Sequence, residues 1–590
     1  MRADRVAWAA AALIALAAAV RAVLAFGGYF YWDDLILIGR AGTQGLFSPS
    51  FLFDDHDGHV MPGAFLVSGA IVRIAPFGWW LAALSLVALQ MVASLALLRA
   101  LHTILRWRPV LLIPLTFALF TPLGLPGFAW WAAGLNSLPM LAALAWVCAD
   151  AVLLVRTGNR RYAVTAVLAY LGALLFFEKA AIIPFAAFAI AALLAHVRGD
   201  RAAVVTVWRR AMPLWAGALA VTAAWIGVYL LIVDQRRWTL DPVMTWDLLA
   251  RSITHGIVPG LVGGPWDWQR WAPASPWGTP GVAVTVLGWV ALAVVVAVSV
   301  ARKRRIAPVW AAFAGYAAAC QVPIYLMRSS RFTALELAQT LRYLPDFVVM
   351  SALLMAVGFC APNRDGFRWL NASAARTAVV VTAVAGFVAS SAYSTVTFYR
   401  SWRDSPVPAY IADARAGLAA ARADSDAPML DQEVDPLILQ RVAWPENLAS
   451  HLFALVDDRP EFASATTDLR MLDRQGQVVD ALVTWVRAIR PGPHPQCGYL
   501  VQPDFPVRMP LDGPLLPADW TAEINYLANS DGSLTMSLAE GPEVRVPVRP
   551  GLNRVFVRLA GAGDALNVRA NTAALSVCIS PGPVGFVAPR

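Results

Sequence analysis

The chain has 590 residues, 58% of them hydrophobic and only 14% charged, whereas an ordinary soluble domain carries about 25% charged residues. This excludes a soluble globular protein. The net charge of +9 is not a nucleic-acid footprint, because the basic residues sit in short segments between apolar runs.

A hydrocarbon core takes about 20 apolar residues per helix. Runs that qualify are 7–26, 77–100, 110–128, 133–155, 162–177, 180–197, 213–233, 282–301, 309–327, 347–361 and 377–395. The sequence therefore predicts a polytopic α-helical membrane protein with about eleven transmembrane helices. Met1 to Phe26 has the charged start and apolar core of a signal peptide. With no small-residue cleavage site before a soluble domain, it is expected to remain as the first helix.

Orientation follows from arginine. Arg2 and Arg5, Arg106 and Arg108, Arg156 with Arg160 and Arg161, and the clusters at 198–210, 302–305 and 364–376 all fall on one side of an eleven-span count. By the positive-inside rule that side is cytoplasmic, which predicts a multi-pass plasma-membrane protein with its N-terminus inside. The opposite side then receives the loop 27–76, the turn at Glu178-Lys179, the loops 234–281 and 328–346, and everything after about residue 396.

The loop 27–76 holds Tyr29-Phe30-Tyr31-Trp32-Asp33-Asp34 directly after the first apolar run. Carboxylates at a membrane boundary are costly unless they face water or a substrate. Solvated loop aspartates are one reading. The other is a general base, with the aromatic neighbours excluding water and raising its pKa. Then comes Asp54-Asp55-His56-Asp57-Gly58-His59. These donors suit a divalent cation such as Mg, Mn or Ca, with Asp55, Asp57 and His59 as ligands. They equally suit sugar hydroxyls or a polar turn that bends at Gly58. No cofactor is demanded by any motif.

Glu178-Lys179 interrupts an apolar stretch, and Lys179 is one of only two lysines, the other being Lys303. It reads either as a charged hairpin turn or as a point charge for a lipid phosphate. Arg328, Arg331 and Arg342 lie where the positive-inside rule predicts few cations, which makes them further phosphate or sugar contacts. Arg21, inside the first run, reads equally as a snorkelling side chain or as a functional anomaly. The loop 234–281 contains Trp238, Trp246, Trp266, Trp268, Trp271 and Trp277. Trp266 and Trp268 are candidate sugar platforms, since indole rings stack on sugar faces and favour the headgroup zone.

Beyond 396 the composition turns polar. A mixed α/β segment, 397–490, has helical patterns at 408–422 and 474–490. The part 491–590 reads as short strands at 499–501, 521–524, 533–538, 544–548, 554–559 and 575–579, with turns at 529–532 and 561–564. A β-sandwich is expected, tied by a disulfide between Cys497 and Cys578 if this part lies outside the cytoplasm. Nucleophilic triads, Walker loops and Rossmann glycine patterns are absent from the sequence, which argues against an ATP-driven pump.

With Asp33-Asp34 in a long first external loop, interfacial segments in that loop, and a β-rich external C-terminal part, the chain resembles the GT-C superfamily of membrane glycosyltransferases. The arabinofuranosyl- and mannosyltransferases of actinobacterial envelopes look most similar in architecture. The resemblance implies a sugar donor carried on polyprenyl phosphate, a polysaccharide or glycolipid acceptor, and a carbohydrate-binding-module-like sandwich. It also implies a catalytic aspartate at Asp33 or Asp34 and basic residues such as Lys179 and Arg342 on the donor phosphate. The expected domains are 1–396 transmembrane, 397–490 mixed and 491–590 sandwich. A lipid-linked glycan transporter or a non-catalytic glycan-binding scaffold are the competing classes.

Overall fold

The computed structural model describes residues 2–234, 240–364, 373–503 and 505–590. Trp238 and the middle of the arginine cluster at 364–376 lie outside them. The chain divides into two compact units, Met1–Leu37 with Gln44–Ser405, and Ile38–Thr43 with Pro406–Arg590.

Unit 1 is helical. All eleven apolar runs are helices among the described residues, but they differ in reach. Eight are long and apolar enough to cross a membrane. Seven of them are α1 (Arg2–Phe26), α4 (Trp79–Leu105), α7 (Trp131–Thr157), α9 (Glu178–Val197), α10 (Met212–Ile232), α11 (Val282–Arg302) and α12 (Ala307–Arg328); α14 (Ser373–Arg403) carries the last. The third run is broken instead: α5 (Pro109–Phe120) and α6 (Pro122–Ala129) meet at 46°. Pro122 removes the backbone donor that would continue α5. The fifth and tenth runs, α8 (Arg161–Leu174) and α13 (Pro345–Cys360), have 14 and 16 residues. Two shorter helices, α2 (Asp33–Thr43) and α3 (Pro62–Ile74), occupy the segment expected to lie along the interface.

Burial sorts the bundle. In α7, 72% of the apolar window is enclosed, against 11% in α10 and in α11. Helix α7 is therefore central, and α10 and α11 expose their Leu and Val side chains outward, as a lipid-facing helix must. One buried charge is paired within the bundle: Arg99 on α4 is bonded to the fully buried Asp150 on α7, which also accepts from Thr165 Oγ1 at 2.6 Å. The chain is a multi-pass membrane protein with a β-rich C-terminal part.

Unit 2 begins with α15 (Val407–Asp424), where the sequence predicts a helix. The helical pattern at 474–490 is instead strand. After β1 (Ala465–Thr466), β2 (Val478–Val483) pairs with flanking short strands, and β3 (Arg487–Ala488) follows. The run Val478-Val479-Asp480-Ala481-Leu482-Val483 is rich in β-branched residues, and pairing decides for strand. The remaining strands are β4 (Tyr499–Val501), β5 (Val507–Ala528), β6 (Gly532–Glu540), β7 (Val544–Val548), β8 (Gly551–Ala570), β9 (Val577–Ser580) and β10 (Pro583–Gly585). With β3 and β1 they form one nine-stranded hydrogen-bonded sheet of order β7-β6-β8-β5-β9-β4, in which β10 pairs with β5, β3 with β10, and β1 with β8.

The expected turn at 561–564 is a bulge inside β8. Opposite it the register of β5 shifts twice, between Pro510 and Ala518, and Gly561 and Gly563 hold φ of 132° and 119°. Glycine alone adopts such angles readily, so the turn-like composition marks a bent strand. The sheet wraps around Trp520, Ile524, Tyr526, Met536, Val557 and Leu566. Segments 397–490 and 491–590 are thus not separate bodies, because β1 and β3 belong to the same sheet as the later strands. Cys497 is disulfide-bonded to Cys578, with 4.8 Å between Cα atoms.

Candidate functional site

The chain turns sharply where α1 gives way to α2. Trp32 has φ of +44°, a left-handed conformation that a bulky residue adopts only under constraint. That turn places Asp33 and Asp34 in different surroundings. Asp34 is fully buried: Oδ2 accepts from Tyr31 N at 2.9 Å and Oδ1 from Ala132 N at 2.8 Å. The second contact satisfies a free amide at the N-terminus of α7, so Asp34 works as a remote helix cap. Burial pushes its carboxyl well above the ordinary aspartate value, against the pull of these backbone amides.

Asp33 keeps its side chain 31% exposed, with His56 Nε2 at 3.9 Å. Burial raises its pKa as well, and Arg342 and then Arg328 are the strongest charges pulling it back down. The two aspartates are therefore not equivalent: one is spent on backbone amides, the other faces cations.

The run 54–59 is a tight turn. His56 and His59 exchange backbone hydrogen bonds of 3.1 and 3.0 Å across Asp57 and Gly58, whose φ values are 53° and 84°. Asp-Gly is the pair such a hairpin turn favours. Asp55 Oδ1 accepts from Gly58 N at 2.7 Å, and Tyr229 Oη donates to Gly58 O at 2.9 Å. The turn also projects both imidazoles to one side. His56 approaches Asp33, while His59 Nδ1 lies 2.7 Å from Glu178 Oε1 and its Nε2 3.0 Å from Arg328 Nη2. A guanidinium only donates, so Nε2 accepts and Nδ1–H donates to Glu178. Arg328 further meets Asp57 at 3.2 Å. Asp54 is half-buried in the same turn.

Asp55, Asp57 and His59 do not form a ligand set. Their donor atoms are engaged with Gly58, Arg328 and Glu178, and no group of three metal-ligating side chains occurs among the described residues. The guanidinium of Arg328 beside two of the three, Asp57 and His59, also disfavours a cation there.

Arg342 donates to Tyr343 Oη at 2.7 Å, and its guanidinium lies over Trp130 at 5.0 Å. Its Nε is buried without a hydrogen-bond partner. Burial alone would raise the Tyr343 phenol, but Arg328 and Arg342 outweigh it and bring it below the usual value. Tyr31 packs edge-on against Trp130 and Trp402, at 4.9 and 5.6 Å between centroids, with Arg270 over it at 5.4 Å. The aromatic segment thus forms the wall of the site.

The other candidates are engaged by the fold. Lys179 Nζ is 2.7 Å from Asp346 Oδ1 and donates to Tyr343 O at 2.8 Å, while Asp346 Oδ2 accepts from Tyr316 Oη at 3.0 Å. Its charge is consumed inside the protein, and the rarity of lysine in the chain did not reveal that. Arg331 is exposed and covers its neighbour Phe332. Trp266 and Trp268 donate through Nε1 to Ser390 and Ser394 of α14 and serve as packing. Arg270 and Trp130 were missed from the sequence. Arg270 had a signal, being a cation in a loop where the positive-inside rule predicts few.

No family model matches the chain, and no curated protein does. Among solved structures, ArnT from Cupriavidus metallidurans bound to undecaprenyl phosphate is similar, with a TM-score of 0.44 and 13% identity over 77% of this chain and 90% of that one. The apo form of the same protein gives a TM-score of 0.43 and 13% identity over 78% and 86%. At that level neither assigns a fold or an activity to this chain.

Proposed function

We propose that the protein is an inverting membrane glycosyltransferase that moves a sugar from a polyprenyl-phosphate donor to an envelope glycan or lipid-linked acceptor on the extracytoplasmic face. The observation that carries this reading is Asp33, a partly exposed carboxylate acted on by the guanidinium groups of Arg342 and Arg328. A base beside two cations is what transfer from a phosphate leaving group requires. Asp33 takes the proton of an acceptor hydroxyl, whose oxygen bonds to the anomeric carbon. The bond from that carbon to the phosphate oxygen breaks on the opposite face, and the phosphate leaves with the electron pair. Arg342, with its unpartnered Nε, and Arg328 neutralise the charge that develops there, so no acid is needed. His59 and Glu178 hold Arg328 in place.

The test uses the purified full chain in lipid with polyprenyl-phosphate-linked sugars. Release of free polyprenyl phosphate, dependent on an acceptor and lost in Asp33→Asn by a factor of about 10²–10⁴, supports the reading. A donor that is bound or moved across the bilayer but never consumed overturns it in favour of transport.

A further inference from the structure

Arg21 sits five residues before the end of α1 and is only 6% exposed. A snorkelling arginine would carry its head to water, and this one does not. Its guanidinium lies 4.9 Å over the Phe128 ring, and its Nη1 is buried without a hydrogen-bond partner. It lines a partly open cavity of about 40 Å³ between α1, α4, α5, α6, α7 and α13, together with Gln90, Ser94, Ser137, Phe128 and Pro345. That volume holds about three or four water-sized particles, since each needs about 10–15 Å³ on the same measure.

The lining has no carboxylate. Arginine keeps its proton, so the cavity carries an uncompensated positive charge at membrane depth, which is costly. Water would satisfy Nη1 but not the charge. The hydroxyl protons are already spent: Ser94 Oγ donates to Gln90 O at 2.8 Å and Ser137 Oγ to Gly127 O at 3.0 Å. The Gln90 amide donates to Ser94 Oγ at 3.2 Å and has a second N–H to offer.

We infer that this cavity binds a small monovalent anion of chloride size, held by the Arg21 guanidinium and the Gln90 amide. It is a structural counter-ion site that ties α1 to α4 and α7, and it stands whether or not the protein transfers sugars.

The experiment is a thermal unfolding titration of the full chain in detergent or nanodiscs, with sodium chloride replacing sodium gluconate at constant ionic strength and bromide as a second probe. Chloride and bromide should raise the unfolding midpoint saturably while gluconate does not. Arg21→Met should flatten the response. Gln90→Glu places a carboxylate in the cavity that Arg21 lines, supplying the counter-charge internally, and should abolish the response while leaving the protein folded. Should Arg21→Met fail to fold, Gln90→Leu must still weaken apparent chloride affinity at least threefold. A wild-type midpoint indifferent to the anion, or an undiminished chloride response in Gln90→Glu, overturns the inference.

Discussion

Asp33 and Asp34 are adjacent in sequence and opposite in circumstance. Asp34 accepts from two backbone amides in a dry setting, so Asp34→Asn would turn one acceptor into an NH2 group facing an N–H donor. A loss of about 1–3 kcal/mol is expected, read as a lower unfolding midpoint. Asp33→Asn should leave that midpoint nearly unchanged and remove turnover. The reverse pattern would assign the base to Asp34. The pH profile follows from the same group. A base must be ionised, and burial places the Asp33 pKa above the ordinary carboxylate value. Activity should therefore rise with pH through a limb above that value, and stability from this group runs the other way, fading as pH rises through its folded pKa. A limb at the ordinary aspartate value would contradict this. The composition Trp-Asp-Asp announces a costly pair of charges. Which of them meets helix amides depends on residue 132, remote in sequence.

At the scale of elements, Lys179 joins the start of α9 to the start of α13 through Asp346. Both side chains are nearly enclosed, so removing one partner strands the other. Lys179→Met is expected to cost about 3–5 kcal/mol, and Lys179→Met combined with Asp346→Asn should recover much of it. A folded Lys179→Met protein with lost donor affinity would return Lys179 to the phosphate. The turn 54–59 shows how two readings of one motif coexist: Asp57-Gly58 makes the hairpin, and the hairpin aims His56 and His59. His59→Ala should free Arg328 from one partner and lower kcat/KM about tenfold without loss of fold. Kinetics on folded variants separate the two. Element types were legible where apolar periodicity was long, as in α4 and α7. They were not at 474–490, where sheet pairing overrode local pattern.

For the whole molecule, unit 2 offers a cleft of about 290 Å³ lined by Asp431, Glu433, Arg441, Asp519, Arg558 and Phe586. Phe586 is half exposed and packs 4.6 Å from Trp520, an aromatic face beside a chain of paired charges. If an acceptor glycan uses this cleft, Phe586→Ala should raise the KM for acceptor and leave donor KM unchanged. The Cys497–Cys578 bond closes a separation of 81 residues, and its removal should destabilise unit 2 by about 4 kcal/mol, read by thermal unfolding of the double alanine variant. Composition and hydropathy by themselves determined that this is a membrane protein, where its apolar helices run, and that its polar C-terminal part is rich in strands. Those properties depend on local runs, and burying apolar surface needs no knowledge of partners. Only the tertiary structure decided which charges are spent on the fold and which remain for chemistry. Asp34, Lys179, Trp266 and Trp268 are engaged by residues 98 to 167 positions away or across a helix interface, while Asp33, Arg328 and Arg342 converge. A side chain's availability depends on its neighbours in space, and spacing along the chain does not encode them.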